Sequence, residues 1–470
     1  MNLNGKTKAA NTYDAIVVGS GISGGWAAKE LCEKGLKVLM LERGKPLEHP
    51  QYPTSTKDPW QLDHRGKLTE EDRKNSHIQA RHYSFRGDNK AFYINDLENP
   101  YTEVKRFDWV RGDIVGGRSV LWGRLCYRWS DLDFEANHRG CPYGAYFSTN
   151  ASTLPAAFAT GNLTLRPHSL VNRVLYDTEK GKASGVEIID TESNEVVEYY
   201  ARIVFLNAAT LATAHILLNS TSDRFPNGLG NGSDQVGRNI MDHHKGAGAS
   251  ASVEGFEDSY YFGRRPTGIY IPRFRNLKDK HKDFIRGYGY QGDASRGGWS
   301  SFTGSTQLGA PLKEAVQRPM DWSITFGAYG ECLPYAENRA TLNPSVRDKW
   351  GRPTLSIDAE FKANEKAMQH DMASTMGEML EDIGYKNVKT HLNTSFPGNA
   401  NHEMGTARMG RDPKTSVLNA FNQMHEVKNV FITDGSAMTS SACVNPSLTY
   451  MALTARACDY AVKELKRLNL

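Results

Sequence analysis

The chain has 470 residues, of which 39% are hydrophobic and 23% charged, a size and balance that suit a globular protein of two domains or one large domain with an insertion. Its net charge of +4 is too small to argue for nucleic acid or an acidic membrane surface as a partner. No run approaches the ~18 consecutive apolar residues of a membrane span.

The first residues, MNLNGKTKAANTY, are polar and have no apolar core, so no signal peptide is expected. The chain then reads as cytoplasmic, or as periplasmic if it is exported folded with a partner subunit. Residues 14–42 follow, DAIVVGSGISGGWAAKELCEKGLKVLMLE. Ala15 to Val18 form an apolar run of buried parallel-strand type. Gly19, Gly21 and Gly24 have G-x-G-x-x-G spacing. A helical pattern through Ala27, Ala28, Leu31 and Cys32 stops at Gly35, and a second apolar run, Val38 to Leu41, closes on Glu42. The first glycine permits a tight turn and the second lets the backbone approach a pyrophosphate on the helix N-terminus. The third lets helix pack on strand, and the acid takes a ribose hydroxyl. A bare glycine pattern fits any tight strand–helix turn. Strand, helix and terminal acid together point to dinucleotide binding.

After Glu42 the text turns polar and rich in Pro, His and charge, with scattered aromatics (Trp60, Tyr83, Phe92, Tyr93, Tyr101). Residues 45–105 read as a surface excursion, a lid or a partner-binding arm. In residues 106–129, RFDWVRGDIVGGRSVLWGRLCYRW, the glycines Gly116 and Gly117 precede Ser119. They allow backbone amides to face a phosphate or a flavin edge, or they make a plain turn. At Asn137–His138 the text changes abruptly, with neither side preparing the other. Residues 163–206 alternate in β fashion. A strand at 202–206 runs into Ala208 and Ala209 and then a helix, a second strand–helix junction able to sit near a nucleotide or to serve as an ordinary connection. From Gly237 to about Asp358, aromatics, Gly and Arg dominate, with alternating runs such as GIYIPRF and SITFGAY that fit an antiparallel sheet. Residues 360–384 read as one amphipathic helix stopped by Gly384. Near the C-terminus a strand at 429–432 ends at Asp434-Gly435, and Asn445-Pro446 opens a final helix to about Lys466, with Asn445 at N-cap and Pro446 at N1. The fold class expected is α/β: a Rossmann-like nucleotide domain built from residues 13–237 and 398–470, with an antiparallel-sheet substrate domain, 238–397, inserted.

These pieces, in this order, resemble the glucose–methanol–choline (GMC) family of flavin oxidoreductases. The resemblance is carried by VVGSGISGGWAAKEL…VLMLERG, GDIVGGRSVLWG, FLNAATLATAHILLNS, VGRNIMDHH, ENRATLNP, NHEMGTARMG and NVFITDGSAMTSSACVNPSLTYMALTARA. Within the family the chain looks closest to bacterial sugar dehydrogenases, such as glucoside 3-dehydrogenase flavin subunits, and to pyranose oxidases. The resemblance implies FAD. Gly19, Gly21 and Gly24 would hold its pyrophosphate, and Glu42 its adenosine ribose, with Arg43 beside it. Val171 would lie by the adenine, and Gly116, Gly117, Ser119 and Trp122 would border the flavin. Ala208 and Ala209 belong to the same set. Asp434 and Gly435 would contact the pyrophosphate and ribityl chain, and Asn445 and Pro446 would set a helix N-terminus near the pyrimidine edge. Val120 and Leu121 follow Ser119 where covalently flavinylated relatives carry a His, so the FAD is expected to be non-covalent.

His402 matches the family's catalytic histidine and Asn445 the second catalytic position. The implied reaction is alcohol oxidation: the imidazole takes the hydroxyl proton while hydride goes to flavin N5, and Asn445 holds the oxygen. Without the family, His402 would read as structural and Asn445 as a cap. His243 and His244 are expected to be structural. The chain departs from the family at Asn137–His138, where relatives carry a sizeable segment. Six cysteines (Cys32, Cys126, Cys141, Cys332, Cys443, Cys458) show no C-x-x-C. Cys141-Pro142 resembles the end of an iron–sulfur cysteine motif, but no cysteine stands between Cys126 and Cys141, so a complete cluster is not supported and a buried free thiol is the alternative. The implied activity is oxidation of a secondary hydroxyl of a sugar or glycoside, at C3 or C2 of a pyranose. Electrons would pass to a quinone or to a partner protein, with a small subunit and cytochrome c among the expected partners. A peroxide-forming sugar oxidase and a non-catalytic flavoprotein subunit are the competing readings.

Overall fold

The computed structural model describes residues 11–47, 52, 57–121, 147–256, 268–296, 308–317 and 320–470. Along the chain come β1 (Thr12–Val18), α1 (Ile22–Glu33), β2 (Val38–Leu41), α2 (Glu70–Asn75), β3 (Thr102–Glu103), α3 (Thr153–Ala159), β4 (Leu163–Arg166), β5 (Ser169–Asp177), β6 (Lys182–Asp190) and β7 (Val196–Leu206). After these come α4 (Thr210–Asn219), β8 (Ala247–Val253), β9 (Ile269–Ile271), β10 (Tyr288–Arg296), α5 (Ala310–Gln317), β11 (Trp322–Gly330), β12 (Arg339–Arg347) and β13 (Pro353–Asp358). The chain closes with α6 (Ala363–Asp382), β14 (Lys386–Leu392), β15 (Val430–Ile432) and α7 (Ser447–Lys466).

The apolar runs at 15–18 and 38–41 are buried on both faces, as a central parallel sheet requires. The sheet runs β4-β2-β1-β7, all parallel, and the second half of β7 pairs with β15, also parallel. The first half of β7 also pairs antiparallel with β6, which pairs with β5, so the same sheet continues through these two strands. Alternate residues feed two cores. Val17, Met40, Phe205 and Phe431 point to the side covered by α1, α3 and α7, where Ala27, Ala28 and Leu31 meet Ala457, Ala461 and Leu465. Ile16, Leu39, Val204 and Ile432 point to the other side. This is the α/β fold expected, and the N- and C-terminal parts of the chain share its sheet.

The second sheet has the order β14-β8-β11-β10-β9 and is antiparallel. Its companion is α6, whose Met368, Met372, Met376 and Leu380 repeat every four residues and so form one stripe. That stripe packs on Ala247, Ala249 and Ala251, alternate residues of β8 that point to the same face. Each such buried side chain contributes about 1.5–3 kcal/mol relative to leaving it in water. Gly384, in the left-handed region at φ 89°, stands just past the helix.

Two expectations are corrected. Residues 45–105 do not simply run over the surface: Tyr52, Phe85, Phe92 and Tyr93 are buried with Val110, Ile114 and Val120. Their irregular spacing gives no periodic signal, because turns rather than one helix or strand carry them. In addition, β3 pairs parallel with β13, and that ties the excursion to a third small sheet. The final helix begins at Ser447 with Pro446 as its N-cap and no side-chain cap, so Asn445 is not the cap.

Candidate active site

The strands β1, β7 and β15 end level, because Val18 pairs with Leu206 and Leu206 with Ile432. The loops that follow, at 19–21, 207–209 and 434–435, therefore open on one cleft of about 360 Å³. Ligands of open parallel sheets bind at such carboxyl ends.

Gly19 has φ 91°, and a Cβ there would lie 2.4 Å from the Asn207 carbonyl oxygen. A Cβ on Gly24 would lie 1.9 Å from the Gly19 carbonyl oxygen, so the third glycine lets α1 close onto the turn itself. A Cβ on Gly21 would meet no protein atom; it would fill the cleft. Helix α1 starts there without a side-chain cap and without an acid in its first turn, which leaves its N–H groups and dipole for an anion. Glu42 is buried: one carboxylate oxygen accepts from Ser20 N–H (2.9 Å) and Ser20 Oγ (2.5 Å), the other from Gly44 N–H (2.8 Å). Burial pushes its pKa up. Arg43 donates to Asn99 Oδ1 at 2.8 Å. Gly116 donates its N–H to Ser20 Oγ at 2.7 Å, and the Ser119 hydroxyl donates to the Gly116 carbonyl at 2.6 Å. Gly117, Ser119, Val171, Ala208, Ala209, Asp434, Gly435 and Pro446 line the cleft with Glu42 and Arg43. The Asp434 carboxylate accepts from Thr213 Oγ1 (2.6 Å) and Ser436 N–H (2.9 Å). Gly24 and Gly116 shape the loops from behind. Trp122, Cys126, Cys141 and the 137–138 junction lie outside the described residues.

At the other end of the cleft His402 and Asn445 come together, 43 residues apart in sequence, with Asn445 Nδ2 3.3 Å from His402 Nε2. Gln291 on β10 donates to Asn445 Oδ1 at 3.0 Å, so the amide is held from the second sheet. This contact explains why Asn445 does no capping. The other His402 nitrogen, Nδ1, lies 2.8 Å from His243 Nδ1. His243 therefore contacts the site, while His244 packs away from it against Phe361. Asp242 holds the His402 loop: one oxygen accepts from the N–H groups of His243 (2.8 Å) and His402 (3.0 Å), the other from those of Gly398 (2.8 Å) and Ala400 (3.0 Å). Burial, with Glu403 nearby, raises its pKa to about 7 even though those donors favour the carboxylate. Arg118 pairs with Glu403 at 2.7 Å, and donates to the Asn401 carbonyl. Burial, reinforced by His243, Arg118, Lys245 and His82, pushes the His402 pKa well below that of a free histidine. His82 is likewise lowered, to about 3, by burial and then by Lys245 and Arg118.

Two models of GMC oxidoreductases match the chain, one over residues 134–245 and one over 334–454. The chain belongs to the GMC oxidoreductases. Among relatives of this GMC oxidoreductase, 2-methyl-1,2-propanediol dehydrogenase of Mycolicibacterium austroafricanum is 27% identical over 97% of this chain and 96% of that protein. That comparison spans 537 positions, more than the 470 residues present here, so the relative carries stretches this chain lacks. The fructose dehydrogenase large subunit of Gluconobacter japonicus is 28% identical over 70% of this chain, but only 58% of its own length. Among solved structures, a formate oxidase variant from Aspergillus oryzae, studied for its FAD modification, superposes with a TM-score of 0.62 at 14% identity over 97% of this chain and 99% of its own.

FAD is the cofactor that this membership implies. The cleft fits it on its own geometry: an open cradle at Gly21, an uncapped helix N-terminus, and the buried Asn207 Nδ2, which has no hydrogen-bond partner in the protein. Among the described residues no group of three or more His, Cys, Asp or Glu is placed to hold a metal ion. Cys32, Cys332, Cys443 and Cys458 are free, buried thiols. No helix among the described residues is long and apolar enough to cross a membrane. Sequence reasoning missed His82, Tyr83, Arg118, Lys245, Tyr329 and Tyr450 in the cleft wall. For Asp242 and His243, which sequence reasoning also left out of the site, the local signal was VGRNIMDHH, where an acid stands beside paired histidines.

Proposed function

We propose that this oxidoreductase oxidises a secondary hydroxyl of a sugar or glycoside, at C3 or C2 of a pyranose, to the keto sugar. The carrying observation is the meeting of His402 Nε2 and the Asn445 amide in the cleft that the glycine loops open. His402 takes the hydroxyl proton: its depressed pKa keeps the imidazole neutral and able to accept at neutral pH. Asn445, held by Gln291, donates to the same oxygen and keeps it in line. Non-covalently bound FAD supplies the acceptor for the hydride that leaves the carbon. Gly19, Gly21, Asp434 and Gly435 hold its diphosphate side, Glu42, Arg43 and Val171 its adenosine side, and Gly117, Ser119 and Pro446 border its ring. In this division residues 13–237 and 398–470 carry the cofactor and 238–397 the substrate.

The fructose dehydrogenase relative supports a sugar, and its designation as a large subunit supports a further subunit; in this reading electrons leave through a small subunit and a cytochrome c. A second reading, a small vicinal diol, is favoured by the relative that matches nearly the whole chain. The deciding measurement is the visible spectrum of the FAD-loaded protein without oxygen, before and after glucose, a methyl glucoside, fructose or 2-methyl-1,2-propanediol. Bleaching by a sugar is expected; bleaching by the diol alone, or by dithionite alone, overturns the sugar reading. Air and peroxide detection then separate oxidase from dehydrogenase.

A pH dependence follows from the charges. The base works only when neutral, so kcat/KM falls as pH drops through the depressed His402 pKa. Lys245 lines the cleft and disfavours the imidazolium. In Lys245→Met the imidazolium forms more readily, and the acid limb of the kcat/KM profile moves to higher pH. An acid limb unmoved, or moved down, refutes this placement of Lys245.

A further inference from the structure

His243 is fully buried and belongs to no part of the cleft wall, yet both its ring nitrogens are engaged. Its Nε2 lies 2.7 Å from the Ser441 carbonyl oxygen. A carbonyl only accepts, so Nε2 carries the hydrogen. Burial lowers the His243 pKa to about 4, so the ring is neutral and its Nδ1 has a lone pair and no proton. The partner 2.8 Å from that lone pair is His402 Nδ1. Two lone pairs at that distance would repel, so His402 Nδ1 must carry the hydrogen and donate. His402, neutral as well, is then bare at Nε2, the nitrogen beside Asn445. The rings stand at 85° with centroids 4.9 Å apart, so they meet edge to edge through this one bond rather than by stacking.

We infer that His243 is a positioning residue: the Ser441 carbonyl, through the His243 ring, fixes His402 as the tautomer protonated at Nδ1 and leaves Nε2 as the proton acceptor facing the substrate. The other ring nitrogen of a catalytic histidine decides which one is available, and its partner is the device that sets it. Met241 and Met404 form a backbone bridge, and Asp242 clasps the His402 loop, so the two histidines are carried on paired segments. Asn445 completes the arrangement from the far side: its Oδ1 takes the Gln291 N–H, so its own N–H groups are the ones left to face the His402 lone pair and the substrate oxygen. In hydrolase triads, replacing the group that fixes the histidine tautomer lowers kcat about 10⁴-fold with geometry intact.

This inference rests on His402 acting as the base, and the test separates the two. FAD-loaded protein is labelled with ¹⁵N-histidine, and long-range ¹H–¹⁵N spectra read the tautomer of His402, assigned by its loss in His402→Gln. The Nδ1-protonated form is expected in the wild type and in His243→Asn, whose Oδ1 replaces the acceptor. His243→Leu, which has no acceptor, should lose that tautomer and reduce flavin at least tenfold more slowly, with substrate dissociation constant and FAD content unchanged. His402 protonated at Nε2 in the wild type overturns the inference, as does a leucine variant as fast as the asparagine one. If the base role itself is wrong, the tautomer spectrum still shows the Nδ1–H form while His402→Gln reduces flavin at the wild-type rate.

Discussion

His402→Ala should leave a folded, FAD-containing protein whose flavin is reduced by substrate about 10³-fold more slowly, the middle of the 10²–10⁴ range for a positioned general base. Two features place the effect on chemistry rather than folding. His402 is only partly buried, and among the described residues its side chain hydrogen-bonds just His243 and Asn445. Removing the ring leaves one buried His243 nitrogen without its donor, a loss of about 1–3 kcal/mol. The loop stays anchored, because Asp242 binds the His402 backbone N–H and not its ring. Anaerobic stopped-flow reduction, with FAD content and melting temperature as controls, checks this. A variant reduced at the wild-type rate removes His402 from the mechanism.

The nucleotide half of the fold could be read from the chain because its signals are local. A parallel strand buried on both faces is a continuous apolar run, and Val38 to Leu41 is one. The turn at Gly19 needs a φ of 91°, a local demand that glycine meets, although the carbonyl that a side chain there would strike belongs to distant Asn207. The level ends of β1, β7 and β15 follow once all three are strands of one sheet. The wall of the cleft is different. His82, Tyr83 and Tyr93 sit in turns without periodicity, and their placement depends on the buried cluster around Phe85 and Phe92. Asn445 carried a misleading local signal: Asn before Pro reads as a cap, and only the tertiary partner Gln291, 154 residues away, shows its amide engaged elsewhere. The pairing of His243 with His402 spans 159 residues, and no spacing rule brings them together.

That pairing also explains why one short segment, Met241-Asp242-His243, is needed to build the base. Its backbone bridges Met404, its carboxylate gathers the loop, and its imidazole meets the catalytic ring. Gly398 and Asn401 take left-handed backbone conformations, and no helix or strand runs through the loop, which Arg118 also holds at the Asn401 carbonyl and the Glu403 carboxylate. Asp242 substitutes for secondary structure there by accepting from three of the loop's N–H groups.

Asp242→Asn should therefore abolish most activity while sparing the cofactor half of the cleft. The four N–H groups around Asp242 all donate, and they converge on two oxygens at 2.8–3.0 Å. An asparagine amide keeps one oxygen and turns an NH₂ group toward two of those donors. Donor then faces donor in a buried site, where each unsatisfied group costs about 1–3 kcal/mol. The cheapest relief is for the loop to pull away, and it carries His402 with it. A displacement of 1 Å at a reacting group costs about 100-fold in rate. The expected result is at least that loss in flavin reduction, a lowered melting temperature, and FAD retained, because the turn at Gly19 is built against the Asn207 carbonyl and the Asp242 carboxylate bonds to other backbone N–H groups. The His402 tautomer should be lost in the same variant, since the imidazole no longer meets His243. A melting temperature that falls while flavin reduction keeps its wild-type rate would show that the carboxylate holds the fold and leaves the base where it is. Wild-type values of both would mean that the loop keeps its shape without the carboxylate.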